Sequence, residues 1–134
     1  MKIICDTHVL LFWADAPHKL SAAAREAFEA GMAEGTLACA DITLWEIGML
    51  LARGRLVLPP GGASIRSYVD DILLAAGVEV LAITPEIAEL AQDSAFVHGD
   101  PADRLIAATA IAYGGTLISA DEKLQSLGRI TVVW

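Results

Sequence analysis

Basic residues, cysteines and long apolar runs are all scarce in this chain of 134 residues, and each scarcity removes a class of function. Nine Lys and Arg stand against 17 Asp and Glu, a net charge of −8. A general nucleic-acid binder presents a basic face, so that class is disfavoured, whereas an enzyme whose acids hold a divalent cation is not. Only two cysteines occur, Cys5 and Cys39, both inside apolar, strand-like stretches. With no C-x-x-C and no Cys/His cluster they read as small buried hydrophobes rather than a zinc site or a disulfide. The longest uncharged run, LIAATAIAYGGTLISA (105–120), is split by Gly114-Gly115 into a helix-like and a strand-like half, each too short to cross a bilayer. Met1-Lys2 leads directly into IIC, so no signal peptide is expected, and the chain is expected in the cytoplasm with no membrane partner.

What the chain has in excess is apolar residues, 55% of the total, a surplus that suggests surface reserved for a partner. The length suits one domain, residues 1–134. Strand-like runs alternate with helix-like segments. KIIC (2–5) precedes an amphipathic stretch from Ser21 to about Glu34, TLACA (36–40) precedes ITLWEIGMLLA (42–52), and VEVLAI (78–83) precedes PEIAELAQ (85–92). PADRLIAATAIAY (101–113) then leads to GTLIS (115–119), and RITVVW (129–134) closes the chain. This alternation predicts a parallel sheet covered by helices on both faces, and the continuously apolar strands fit a sheet buried on both sides. LPPGG (58–62) is the one clear loop.

Ligands of open parallel sheets bind beyond the carboxyl ends of the strands. Asp6 directly follows KIIC, and Asp121 lies two residues past the end of GTLIS. Glu46 falls four residues after Ile42 and three before Met49, so it places a carboxylate in the middle of an apolar helical stripe. That helix is hydrophobic nearly all round and is expected to be buried, and no Lys or Arg precedes Glu46 by one turn to neutralise it. Asp103 stands in DPADR, where Asp100, Pro101 and Asp103 fit the N-cap, first and third positions of a helix.

Each helix-start acid has a structural reading as well. Asp6 can cap a helix starting at Thr7, Ser119-x-x-Glu122 has the form of a capping box, and Asp100 fits a cap of the same kind. Glu46 has no such alternative. Carboxylates gathered closely stay ionised only with a neutralising cation, and oxygen-only ligands favour Mg²⁺ or Mn²⁺ over zinc. A metal of that kind can activate water and stabilise a leaving alkoxide, which is the chemistry of phosphodiester hydrolysis.

The segments CDTHVLLFW (5–13), ITLWEIGMLLARGRL (42–56), HGDPADRLIAATA (98–110) and LISADEKL (117–124) together resemble the PIN-domain ribonucleases, specifically the VapC-type toxins of bacterial toxin–antitoxin pairs. The resemblance spans the whole chain. It implies a PIN-like three-layer α/β/α sandwich around a mostly parallel sheet of about five strands. It also implies Mg²⁺- or Mn²⁺-dependent endonucleolytic cleavage of RNA, a homodimer, and inhibition by a cognate antitoxin protein. The family's acids carry over onto Asp6, Glu46, Asp103 and Asp121, as catalytic and metal-holding residues, and its Ser/Thr near the last acid onto Ser119. Thr7 and Arg104 are weaker candidates for supporting the site or touching substrate. Many members carry a further acid where this chain has Leu124.

His8 is expected to pack at a helix start rather than to act as a base, and His18 and His98 to be solvated in loops. Arg53, Arg55 and Arg104 are candidates for phosphate contact, Arg104 also for orienting a carboxylate. Trp13 and Trp45 are expected in the core. A phosphoacceptor receiver domain would need an acid after VEVLAI, where Thr84-Pro85 stands, and a Lys in GRITVVW. A haloacid-type phosphatase would need an acid at His8. The remaining alternative is a catalytically silent PIN domain serving as a binding module, against which the intact acidic set argues.

Overall fold

The computed structural model describes residues 1–94, 96 and 99–134, so the expectation for His98 lies outside the described residues. Five short strands, β1 (Ile3–Cys5), β2 (Leu37–Ala40), β3 (Glu79–Leu81), β4 (Thr116–Ile118) and β5 (Thr131–Val133), form one sheet in the order β3-β2-β1-β4-β5. All four pairings are parallel, with Ile4 beside Ala38 on one side and Leu117 on the other. Among the described residues seven α-helices cover it: α1 (Thr7–Asp15), α2 (Ala22–Glu34), α3 (Ile42–Ala52), α4 (Ile65–Ala76), α5 (Pro85–Leu90), α6 (Pro101–Ala112) and α7 (Glu122–Gln125). The three-layer α/β/α sandwich expected from the sequence is the one observed.

Alternation along the strands assigns each residue to one of two apolar layers. Cys5, Leu37, Cys39 and Ile118 face Val9 and Leu10 of α1, Phe28 of α2, and Tyr68 and Ile72 of α4. Ile4, Ala38, Ala40 and Leu117 face Ile87 of α5, Ile106, Ala107 and Ala110 of α6, and Leu124 of α7. The two cysteines are free and fully buried, and burial pushes the Cys39 thiol up to about 12 and raises Cys5 as well.

Local chemistry sets the helix ends. Ser21, Ser64 and Thr84 cap α2, α4 and α5 with their hydroxyls, and Ser64 with Ser67 completes a reciprocal box. Pro101 opens α6, and Gly114 at φ 58° turns the chain from it towards β4.

The structure departs from the sequence expectations at four places. Helix α4 follows the LPPGG loop and belongs to none of the segments recognised as periodic. The edge strands β3 and β5 are exposed along much of their length, so only β1, β2 and β4 are buried on both faces. Helix α3 buries only Thr43 and Ile47, and Trp45 is 60% exposed rather than in the core. Trp13 is partly buried and stacks on Phe28 with ring centroids 5.2 Å apart. The fourth departure is the cap of α7, which is Asp121 rather than Ser119, because the Ser119 hydroxyl is drawn inward.

The approach of β4 to β1 depends on Gly115, where an added Cβ would lie 2.2 Å from the Lys2 carbonyl oxygen. Gly115→Ala is expected to destabilise the fold by about 1–3 kcal/mol. Gly48, inside α3, has room for a methyl group, its nearest neighbour being Ile65 at 3.7 Å. Gly48→Ala is expected to be neutral or stabilising by up to about 1 kcal/mol. Urea unfolding of the two variants beside the wild type checks the opposite signs.

Candidate active site

Because β1 lies between β2 and β4, the chain leaves its carboxyl end towards β2 while β4 is reached later on the other flank. This is a topological switch point, where a crevice opens at the strand ends. Asp6 occupies it and is only 9% exposed. The Thr7 amide donates to Oδ1 at 2.8 Å, which makes Asp6 the N-cap of α1, and the Ser119 hydroxyl donates to Oδ2 at 2.7 Å. Pairing of Cys5 with Ile118 brings Ser119 alongside Asp6. Ser119 Oγ also accepts from the Asp121 amide at 3.0 Å, so one buried hydroxyl ties the first acid to the backbone of the last.

Glu46 arrives from α3 and is held by the Thr7 hydroxyl, which donates to Oε1 at 2.5 Å. Thr7 Oγ1 also lies 3.0 Å from Thr43 Oγ1, and since its single proton is directed to Glu46, Thr43 is the donor in that pair. Asp103 is in the first turn of α6, and Asp121 caps α7 through the Lys123 amide at 2.9 Å. An open cleft of about 370 Å³ is lined by Asp6, Glu46, Asp103 and Asp121 together, and also by Asp100 and His8. The capping and site readings of these acids are therefore compatible: the caps on Asp6, Asp100 and Asp121 fix carboxylates that line one cleft.

The electrostatics follow from this crowding. Burial raises the Asp6 carboxyl above its ordinary value and the Asp121 charge adds to it, against the hydrogen bonds from Ser119 and Thr7 and the nearby His8. Burial likewise raises Glu46, with repulsion from Asp6 and Asp100 in the same direction, opposed by the Thr7 hydroxyl and His8. The donor set is almost wholly carboxylate and hydroxyl oxygen, which suits a hard divalent cation. Among the described residues no three His, Cys, Asp or Glu side chains close into a group that could hold a metal ion, so the acids line the crevice without being gathered as closely as the sequence led one to expect.

Residues 3–130 match the model of the PIN domain. The chain belongs to the PIN domain family. It is 37% identical over 126 residues to Ribonuclease VapC22 of Mycobacterium tuberculosis, covering 92% of this chain and 90% of the relative. Solved structures share the fold at lower identity. VapBC2 from Rickettsia felis bound to a promoter DNA fragment superposes with a TM-score of 0.71 at 17% identity, over 98% of this chain and 97% of the other. DNA-bound VapBC from Salmonella typhimurium gives 0.67 at 18%, over 98% and 96%.

In this PIN domain the weaker candidates separate. Thr7 and Ser119 are buried and bonded to site carboxylates. Arg104 reaches towards α5, donating from Nε to the Ala91 carbonyl at 2.7 Å and lying over the Phe96 ring, contacts that pack α6 onto its neighbour. Leu124 is 2% exposed in the α5–α6 layer, so an acid at this position would enter the core. His8 and Asp100, expected as a helix-start residue and a cap, also line the cleft, whereas Thr43 has no such expectation attached. Thr43 is a small polar residue one turn before Glu46, and that is the only signal it offers.

Since Glu46 and Asp6 have folded pKa values above their unfolded ones, their contribution to metal-free stability is complete below the ordinary carboxylate range. It is lost as pH rises through the raised folded values. Glu46→Gln cannot ionise, and its amide oxygen can still accept from Thr7. In chelator, the variant is expected to melt on the order of a few degrees above the wild type at about pH 8 and level with it at about pH 4. Thermal melts at the two pH values measure this, and a large loss at pH 8 would mark Glu46 as a structural ion-pair partner.

Proposed function

We propose that this PIN domain is the toxin of a toxin–antitoxin pair, an endoribonuclease that hydrolyses RNA phosphodiester bonds with the help of Mg²⁺ or Mn²⁺. The observation that carries the proposal is that acids from four separate elements line one cleft at the switch point, in a chain 37% identical to a ribonuclease. Asp6, Glu46, Asp103 and Asp121 are the residues that would hold the cation. Bound there, a divalent ion supplies Lewis-acid polarisation of a phosphoryl oxygen and a lowered pKa for water.

The chain's own residues prepare that site. Ser119 and the Thr7 amide fix both oxygens of Asp6, and the Thr7 hydroxyl fixes Glu46, so two carboxylates are oriented before anything binds. Attack of water at phosphorus with cleavage of the P–O3′ bond leaves a 5′-phosphate and a 3′-hydroxyl. The purified protein is expected to produce these ends from single-stranded or looped RNA and to stop in excess chelator. Products ending in 2′,3′-cyclic phosphate, or activity that survives chelation, would contradict this chemistry. Asp103→Asn is expected to lower cleavage by about 100-fold or more, whereas Asp100→Asn still caps α6 and costs only a few-fold.

The partner assignments rest on the family resemblance and on exposed apolar side chains such as Trp45, Val57 and Leu74. Two of the fold neighbours are VapBC assemblies, which supports a cognate antitoxin as the partner here. A homodimer is expected in solution. Light scattering at micromolar concentration checks the dimer, and loss of cleavage on adding the product of the neighbouring reading frame checks the antitoxin.

A further inference from the structure

A second groove, of about 390 Å³, opens directly off the acidic cleft between α1 and the end of α3. His8 and Phe12, one turn apart on α1, line both, so the two adjoin across these side chains. Beyond them the wall carries two cations against one acid. Lys19 and Arg55, two of only nine Lys and Arg in a chain of net charge −8, both line this groove, and both are exposed. Lys19 Nζ lies 5.5 Å from the centroid of the Phe12 ring, so an aromatic face and a cation sit together. The one acid in the wall, Asp15, accepts a hydrogen bond from the Tyr68 hydroxyl.

We infer that this groove is the track for the single-stranded RNA leaving the scissile position, with Lys19 and Arg55 on backbone phosphates and Phe12 beside a base. The inference rests on the ribonuclease reading and adds to it where the substrate lies. Charge complementarity selects this occupant: the acids around the scissile position repel a polyanion, and next to them the groove offers cations with an aromatic ring. That combination serves single-stranded nucleic acid without base-specific contacts. The volume suits about one nucleotide.

The test uses a fluorescein-labelled single-stranded RNA of mixed sequence with Mg²⁺, and binding is measured on an Asp103→Asn background over a range of salt. Lys19→Gln with Arg55→Gln is expected to weaken binding about tenfold and to flatten the slope of log K against log salt by about 1.4, about 0.7 per lost phosphate contact. In the cleaving protein the same pair is expected to raise KM far more than it lowers kcat. Arg66→Gln, which removes a charge on the exposed face of α4, is the control and is expected to change neither. Both groove residues are exposed, so unchanged melting temperatures separate lost contact from lost fold. Cleavage by the wild type with binding, slope and KM unaltered in the double variant would overturn the groove assignment and leave the ribonuclease reading standing. Unaltered RNA binding with loss of antitoxin neutralisation would reassign the groove to a protein partner. A wild type that neither binds nor cleaves RNA would overturn both.

Discussion

Asp6 must keep a carboxylate at the end of a buried strand, where water reaches it poorly, and much of the architecture serves that requirement. A buried anion is tolerated only when hydrogen-bonded, and charge-assisted bonds to it are stronger than neutral ones. The Thr7 amide is available because α1 begins at once after β1, leaving its first N–H groups without helical partners. The Ser119 hydroxyl is available because β4 pairs in register with β1 and ends one residue later. Even so, burial outweighs these bonds and the Asp6 pKa is raised. The fold therefore holds an anion that is well oriented and only partly compensated.

Bringing the other acids to the same place demands that α3 and α6 lie close to the sheet and to each other. Small residues allow it. Strand β2 reads LACA, and α6 turns Ala102, Ala107, Ala108 and Ala110 inward, so helix and strand backbones can approach without large side chains between them. Helices α3 and α6 pack against each other, which places Glu46 on the same cleft as Asp103. Packing in the core and placement of charge at its edge are thus one problem, and the repulsion among Asp6, Glu46, Asp100 and Asp121 is the energetic consequence of solving it.

Much of this was legible in the sequence where a single physical signal dominated. The three central strands stand out because burial on both faces makes them continuously apolar, and Glu46 because a carboxylate interrupts an apolar stripe. Helix α4 is harder to see, since LPPGG announces a loop and the helix behind it carries Arg66, Asp70 and Asp71 on its open side. Trp45 illustrates the limit of hydrophobicity as a guide: α3 is apolar on nearly all sides, so composition cannot say which side faces solvent. Ser119 shows two motifs sharing one residue, because its hydroxyl donates to the buried Asp6 carboxylate and accepts from the Asp121 amide, which leaves the α7 cap to Asp121. His8 and Asp100 line the cleft because they stand two and three residues from Asp6 and Asp103, whereas the role of Thr43 depends on α3 being brought against the start of α1, which no local pattern encodes.

The acidic balance of the chain also means something narrower than it first suggests. Screening at physiological salt limits electrostatic reach to about 8 Å, so exposed acids such as Glu26 and Glu29 on α2 or Glu86 and Glu89 on α5 act on their own surroundings only. A net charge of −8 therefore excludes sequence-independent coating of nucleic acid, which needs many cations, but leaves open a single strand held at one site by a few. Within that radius the sign of the local field is set by particular neighbours. The crevice over Asp6 is negative because Glu46, Asp100 and Asp121 crowd it, whereas the adjoining groove carries Lys19 and Arg55 against the single acid Asp15. A polyanion approaching this surface is repelled at the crevice and attracted beside it, so neutralising the crevice is the step that decides whether its backbone can cross the acids at all.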